Sequence, residues 1–207
     1  MPVDGPLYPV NLSVQGRNCL VVGGGRVAAG KVRNLVACGA MVHVIAPEVD
    51  PAIVQEPGVA IERRVYERGD VTGHRLVITA TPDPAVNRVV HDDAEAAGIW
   101  VNSADDPANC TFTLPAVARR GPVTVAVSTG GHSPALATWL RRRFEAELGP
   151  EYEVLANLLA SERAAIKAAG RSTEGLDWQT ALDSGMLDLI RAGQVQEARE
   201  RLQACLS

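Results

Sequence analysis

The sequence predicts an α/β protein: a doubly wound parallel sheet at the N-terminus, then a small mixed α/β segment, then a helical C-terminal region. Three observations carry this. A strand, a helix and a second strand fit within about thirty residues around the run Gly23-Gly24-Gly25. Apolar strands and amphipathic helices then keep alternating to about Asp106. Beyond Pro150 no strand candidate remains, and the patterned segments have helical spacing.

The elements run in order along the chain. "MPVDGPLYPVNLSVQGR" is rich in proline and glycine and reads as an extended arm. "NCLVVG" is a short apolar strand. "RVAAGKVRNLVACG" is a helix with Val27, Lys31 and Leu35 at helical spacing and Gly39 as its stop. "MVHVIAP" is a strand closed by Pro47, which implies parallel pairing and a right-handed crossover. "VAIERRVY" and "HRLVITAT" are further strands, and "DPAVNRVVHDDAEAAG" is a helix started by Asp83 or Thr81. "IWVNSADD" is a strand ending in a polar turn. "CTFTLPAVARRG" and "PVTVAVSTGG" are β-rich runs. "SPALATWLRRRFEAELG" is a helix with Ser133 as N-cap and Pro134 at its first position. "EYEVLANLLASERAAIKAAG", "TALDSGMLDLIRAG" and "QVQEARERLQACL" are helices.

Bulk properties narrow the function. With 207 residues the chain can bury a core without disulfide or metal staples. Aromatic residues are 4% of the chain, so that core must consist mainly of Val, Ala, Leu and Ile. A formal net charge of −4 argues against bulk attraction to nucleic acid or an anionic membrane, so an anionic ligand needs a local basic cluster. Cys19, Cys38, Cys110 and Cys205 are scattered without metal-ligand or redox spacing, and no metal site is expected. With no leader and no spanning segment, a soluble cytoplasmic protein with reduced thiols is expected.

Gly23-Gly24-Gly25-Arg26-Val27-Ala28 fits G-x-G-x-x-A in the context that gives the pattern meaning, after a strand and opening a helix. Gly23 permits the tight turn, Gly25 the approach of backbone amides to a diphosphate, and Ala28 close packing of helix on sheet. This is a Rossmann-like nucleotide site. After the second strand the acidic residue is Glu48, slightly late, and the next basic residue is Arg63. With nothing to neutralise a 2′-phosphate, NAD is favoured over NADP.

"VNSADDP" ends a strand at the carboxyl edge of the sheet, where such folds hold their ligands. Asp105 and Asp106 are adjacent and cannot both face one ligand; an Asp-Pro turn is the simpler account of them. Ser128-Thr129-Gly130-Gly131-His132-Ser133 can form an anion cradle, or an ordinary strand-to-helix loop with an N-cap. Arg141, Arg142 and Arg143 fan around a helix, so a solvated face is the simplest reading, and Arg119 and Arg120 carry the same caution. His43, His74 and His91 receive no role.

Taken together, "VVGGGRVAAGKVRNL", "ITATPDPAVN", "VNSADDPANCTFTLPA" and "VAVSTGGHSPALATWLRRR" resemble, in order and spacing, the siroheme-synthase dehydrogenase module. This is the precorrin-2 dehydrogenase family, some of whose members are also sirohydrochlorin ferrochelatases. The resemblance runs from about Tyr8 to Leu148. It implies an NAD-binding domain at 1–112, a dimerisation and substrate-binding segment at 113–149 and a helical domain at 150–207. It also implies a homodimer and a stand-alone form without a methyltransferase module.

Carried over by motif, the family's essential aspartate falls on Asp105 and its modifiable serine on Ser128. Cofactor contacts fall on Arg26, Val27, Pro47 and Glu48, beside Gly23, Gly25, Ala28 and Thr81. The implied substrate is a polycarboxylated tetrapyrrole, met by Ser128, Gly130, Gly131, His132, Ser133 and Arg141. Asp106 and His132 depart from the small, neutral or polar residues common at those places. Two other readings remain: an NAD-sensing regulatory module without catalysis, and a generic small-molecule dehydrogenase.

Overall fold

The computed structural model describes residues 5–104 and 106–206, in two compact units. The first comprises Met1–Leu114 with Gly130–His132, the second Pro115–Thr129 with Ser133–Ser207. Segment 113–149, read from the sequence as a unit of its own, is thus shared out, most of it grouping with the C-terminal helices.

In the first unit β1 (Asn18–Val22), β2 (Met41–Ile45), β3 (Ala60–Glu62), β4 (Leu76–Thr79) and β5 (Trp100–Ser103) form one parallel sheet. Its order is β3-β2-β1-β4-β5, so the chain direction across the sheet reverses between β1 and β4. This is the doubly wound α/β arrangement, with its switch point beside β1. The strands are apolar at consecutive positions because both faces are covered. On one face α1 (Arg26–Ala37) and α2 (Pro51–Val54) bury Cys19, Val21, Val44 and Ile78 against Ala28, Val32 and Ile53. On the other, α3 (Pro84–Ala96) buries Leu20, Val22, Ile45, Val77 and Val101 against Val90 and Ala94. Asp83 caps α3, its carboxylate accepting the Ala85 amide at 2.8 Å, with Pro84 following.

Two strand expectations shorten. "VAIERRVY" is a strand only over Ala60–Glu62, because a polar network takes hold of the chain beyond Glu62. Arg64 donates to both carboxylate oxygens of Asp70, at 2.7 and 3.0 Å, and to Glu62 at 2.7 Å. The Tyr66 hydroxyl donates to Asp93 at 2.8 Å, tying the same connection to α3. His43 pairs with Glu62 at 2.9 Å and stacks on His74 with ring centroids 5.5 Å apart. "CTFT" is not a strand, yet it covers an edge of the sheet. Thr111 donates its amide to the Val101 carbonyl and accepts the Val101 amide on Oγ1, both at 2.8 Å.

In the second unit β6 (Ala116–Arg120) and β7 (Val123–Val127) form an antiparallel hairpin. Its two-residue loop, Gly121-Pro122, uses a left-handed Gly121, φ +52°. α4 (Pro134–Glu147) packs on both strands. α5 (Glu151–Ala168), α6 (Trp178–Asp183), α7 (Met186–Arg191) and α8 (Val195–Leu206) enclose Leu155, Leu158, Met186, Ala198 and Leu202. The run "TALDSGMLDLIRAG" is two helices instead of one, because Gly185 adopts φ +85° and breaks the path between α6 and α7. Among the described residues no helix is long and apolar enough to cross a membrane.

Candidate functional site

The carboxyl ends of four strands stand level. Ile45, Val22, Thr79 and Ser103 form one row across β2, β1, β4 and β5. The glycine run follows Val22, Pro47 and Glu48 follow Ile45, and Thr81 follows Thr79, so the sequence-predicted cofactor residues of the three central strands converge on one edge. Asp105, the aspartate carried over from the family, lies outside the described residues.

The three glycines have different tasks. Gly23 sits at φ +121°, and a Cβ there would be 2.4 Å from the Ala80 carbonyl oxygen, so the turn off β1 admits only glycine. Gly24 passes against the β2–α2 loop, where a Cβ would stand 2.0 Å from the Glu48 carbonyl oxygen. Its own carbonyl accepts the Asp50 amide at 2.7 Å. Gly25, the N-cap of α1, has nothing within 4 Å of its missing Cβ. No side chain caps α1 and no acidic residue stands in its first turn, so its first amides are left for an anion. Ala28 is fully buried at the helix–sheet contact, while Arg26 and Val27 face solvent, as do Pro47 and Glu48. The sequence gives Gly24 no task because the G-x-G template treats its middle position as free; three glycines in a row are the available signal.

The turn after β4 is built around Asn87, a second residue that sequence reasoning missed. Buried on α3, it accepts from both the Thr79 and the Thr81 hydroxyls on Oδ1. Its Nδ2 donates to the Thr81 carbonyl at 3.0 Å. Thr81 is therefore held by its hydroxyl and its backbone at once. An asparagine in the first turn of an otherwise apolar helix face is the legible hint.

After β5 the chain turns back sharply. The Asp106 carboxylate is engaged: Asn109 Nδ2 donates to it at 2.6 Å, and Arg88 donates to Asn109 Oδ1 at 3.1 Å. The Ser103 hydroxyl is buried on the α3 side with no hydrogen-bond partner among the described residues.

The residues read as a substrate cradle fall in both units. Gly130 and Gly131 adopt φ +58° and +80°, and Ser128 and His132 are exposed. Ser133 accepts the Leu136 amide at 3.1 Å as the N-cap of α4, and its own amide donates to Thr129 Oγ1 at 3.1 Å. Arg141 is paired with Glu145 at 2.5 Å, and the Arg143 guanidinium lies 5.0 Å from the Trp139 ring centroid. Among the described residues no group of three or more His, Cys, Asp or Glu side chains is placed to hold a metal ion.

Two protein-family models match the chain: one described as "Putative NAD(P)-binding" over residues 10–116, the other as "Sirohaem biosynthesis protein central" over 120–147. The siroheme synthase of Pseudomonas putida is 39% identical over 202 residues, 95% of this chain. That of Nitrosomonas eutropha is 36% identical over 206 residues, 97% of this chain. The chain spans 43% of the length of each of these relatives. Among solved structures, SirC, precorrin-2 dehydrogenase, superposes with a TM-score of 0.69 at 26% identity, over 96% of this chain and 98% of that one. The first family model alone covers more than half of the residues, and the second begins four residues beyond it. The chain belongs to the NAD(P)-binding family that the first model describes, and carries after it a match to the central region of sirohaem biosynthesis proteins.

Proposed function

We propose that the chain oxidises precorrin-2 to sirohydrochlorin with NAD as hydride acceptor, as a precorrin-2 dehydrogenase. The observation that carries this reading is the likeness to SirC over 96% of the chain, which continues beyond the nucleotide fold through the second unit. A cofactor-binding fold alone would support only a generic dehydrogenase.

The glycine turn fits a dinucleotide. Open space beside Gly25 and the uncapped start of α1 suit a diphosphate, and Glu48 suits the ribose hydroxyls. No Lys or Arg stands between Glu48 and Arg63 to receive a 2′-phosphate, which favours NAD. When bound, NAD supplies the hydride acceptor. The chain's own part is to orient the macrocycle and take its proton, which we assign to Asp105. Thr81, fixed by Asn87, borders the cofactor from the β4 side. The ring's peripheral carboxylates need cations and amide donors, for which Ser128, Gly130, Gly131, His132, Ser133 and Arg141 are the candidates. Ser133 contributes backbone there, since its hydroxyl is engaged as an N-cap.

The partner in this reading is a second copy of the chain, joined through the 113–149 segment between the 1–112 and 150–207 domains. In support, Leu136, Trp139 and Phe144 on α4 are 47%, 53% and 39% exposed, beside a sheet of only two strands. A cytoplasmic location belongs to the same reading. Insertion of ferrous ion into sirohydrochlorin would use the same carboxylate to accept pyrrole protons, and is assayed separately with those two substrates.

The test is anaerobic incubation with precorrin-2 and NAD, followed in the visible spectrum. Conversion to the sirohydrochlorin spectrum, dependent on both protein and NAD, supports the reading. NAD binding without any spectral change would favour the sensor module instead.

A further inference from the structure

β5 is an edge strand, and on its open side two residues have backbone groups that no neighbouring strand can pair, Val101 and Ser103. Thr111 serves Val101 through its amide and its hydroxyl. One residue earlier on the returning chain, Cys110 serves Ser103. Its Sγ accepts the Ser103 amide at 3.2 Å and the Asn102 Nδ2 at 3.5 Å. Its single S–H proton faces two carbonyl oxygens, those of Ser103 and Asp106, both at 3.3 Å. Two side chains therefore complete the ladder where a sixth strand would stand, and the sulfur grips the chain on both sides of position 105. On the opposite side the Ala104 amide donates to the Thr79 carbonyl at 2.8 Å.

We infer that Cys110 is a positioning residue: it clasps Ser103 and Asp106, described residues on either side of position 105 in the sequence, at the carboxyl end of β5. The inference rests on the reading of Asp105 as the group that takes the substrate's proton. The chemistry suits a thiol. A carbon–sulfur bond is longer than a carbon–oxygen bond and sulfur is larger, so the thiol spans to amide and carbonyl partners at 3.2–3.5 Å. Burial pushes the Cys110 thiol above its ordinary value, opposed in part by the Ser103 amide, so the S–H donor is kept at neutral pH. The sulfur is then a structural clasp and not a nucleophile.

The experiment compares Cys110→Ala and Cys110→Ser with the wild-type chain, in turnover and in amide hydrogen exchange. Cys110→Ala is expected to lower kcat about tenfold or more with NAD affinity unchanged, since a small misplacement of a reacting group is costly. Cys110→Ser, which restores a donor and acceptors on a shorter arm, is expected to recover most of that loss. In Cys110→Ala the Ser103 amide should exchange at least about tenfold faster, while the Val101 amide, held by Thr111, keeps its protection. An unchanged Ser103 amide overturns the clasp. A folded Cys110→Ala protein with wild-type kcat overturns its catalytic consequence. A wild-type protein inactive on precorrin-2 overturns the underlying reading of Asp105, and the exchange of Ser103 still decides the clasp.

Discussion

The backbone of Gly24 lies so close to Glu48 that a Cβ at position 24 would stand 2.0 Å from the Glu48 carbonyl oxygen. The β2–α2 loop is thus set by a glycine one step before the one whose missing Cβ faces open space; in the proposed reading the first serves the cofactor's ribose and the second its diphosphate. Gly24→Ala must displace backbone, and should lower Tm by several degrees and weaken NAD binding. Gly25→Ala meets open space, so Tm should stay near wild type while the new methyl group, entering the cradle, raises the Kd for NAD about tenfold. Thermal melting with and without NAD checks both. A Gly25→Ala protein that melts below Gly24→Ala would contradict the division of tasks.

Asn87 is the buried hub of the β4–α3 turn. Asn87→Ala leaves the Thr79 hydroxyl and the Thr81 carbonyl without their partner, and is expected to cost about 1–3 kcal/mol in urea unfolding. The loosened Thr81 should also raise the Kd for NAD. Stability and affinity both at wild-type values would remove Asn87 from the site.

Acid should destabilise the first unit in two stages. Burial holds His74 below its ordinary range, with the neighbouring His43 adding to the effect. The folded chain then binds fewer protons here than the unfolded one, so stability falls as pH drops below about 6.5. Asp70 is held low, chiefly by hydrogen bonds from Arg64. Its contribution is present above about pH 4 and lost as pH falls through the folded value. His74→Gln should flatten the upper stage of a Tm-against-pH curve and Asp70→Asn the lower one, with Asp70→Asn also melting lower at pH 7.

Charge reversal across Arg141 to Arg143 tests the substrate side. Arg141 is engaged with Glu145 and Arg143 with Trp139, so Arg142 is the least committed of the three within its own helix. Arg142→Glu is expected to raise KM for precorrin-2 several-fold without changing the Kd for NAD. An unchanged KM returns the run to the role of a solvated helix face.

Much of the fold and of the glycine turn at the carboxyl edge of the sheet is legible without coordinates. The strand–glycine–helix run announces the parallel sheet and the turn off β1 because each glycine requirement is local: a positive φ at Gly23, a missing Cβ at Gly25. Asp83 and Ser133 are readable as caps for the same reason. The features that stay hidden depend on partners distant in sequence. "VAIERRVY" has strand propensity throughout, but Arg64 finds Asp70 and leaves the sheet after Glu62. Gly24 acquires its task only when residues 46–50 fold over it, and Cys110 looks like a scattered thiol until the chain returns along β5.

The most direct test of the central claim is a single-turnover experiment under strict anaerobiosis, with precorrin-2, NAD and an excess of the chain. NADH and sirohydrochlorin should appear together in equal amounts, and Asp105→Asn should bind NAD normally yet form neither at the wild-type rate. Sirohydrochlorin forming without NADH, or at full rate in Asp105→Asn, would contradict the account.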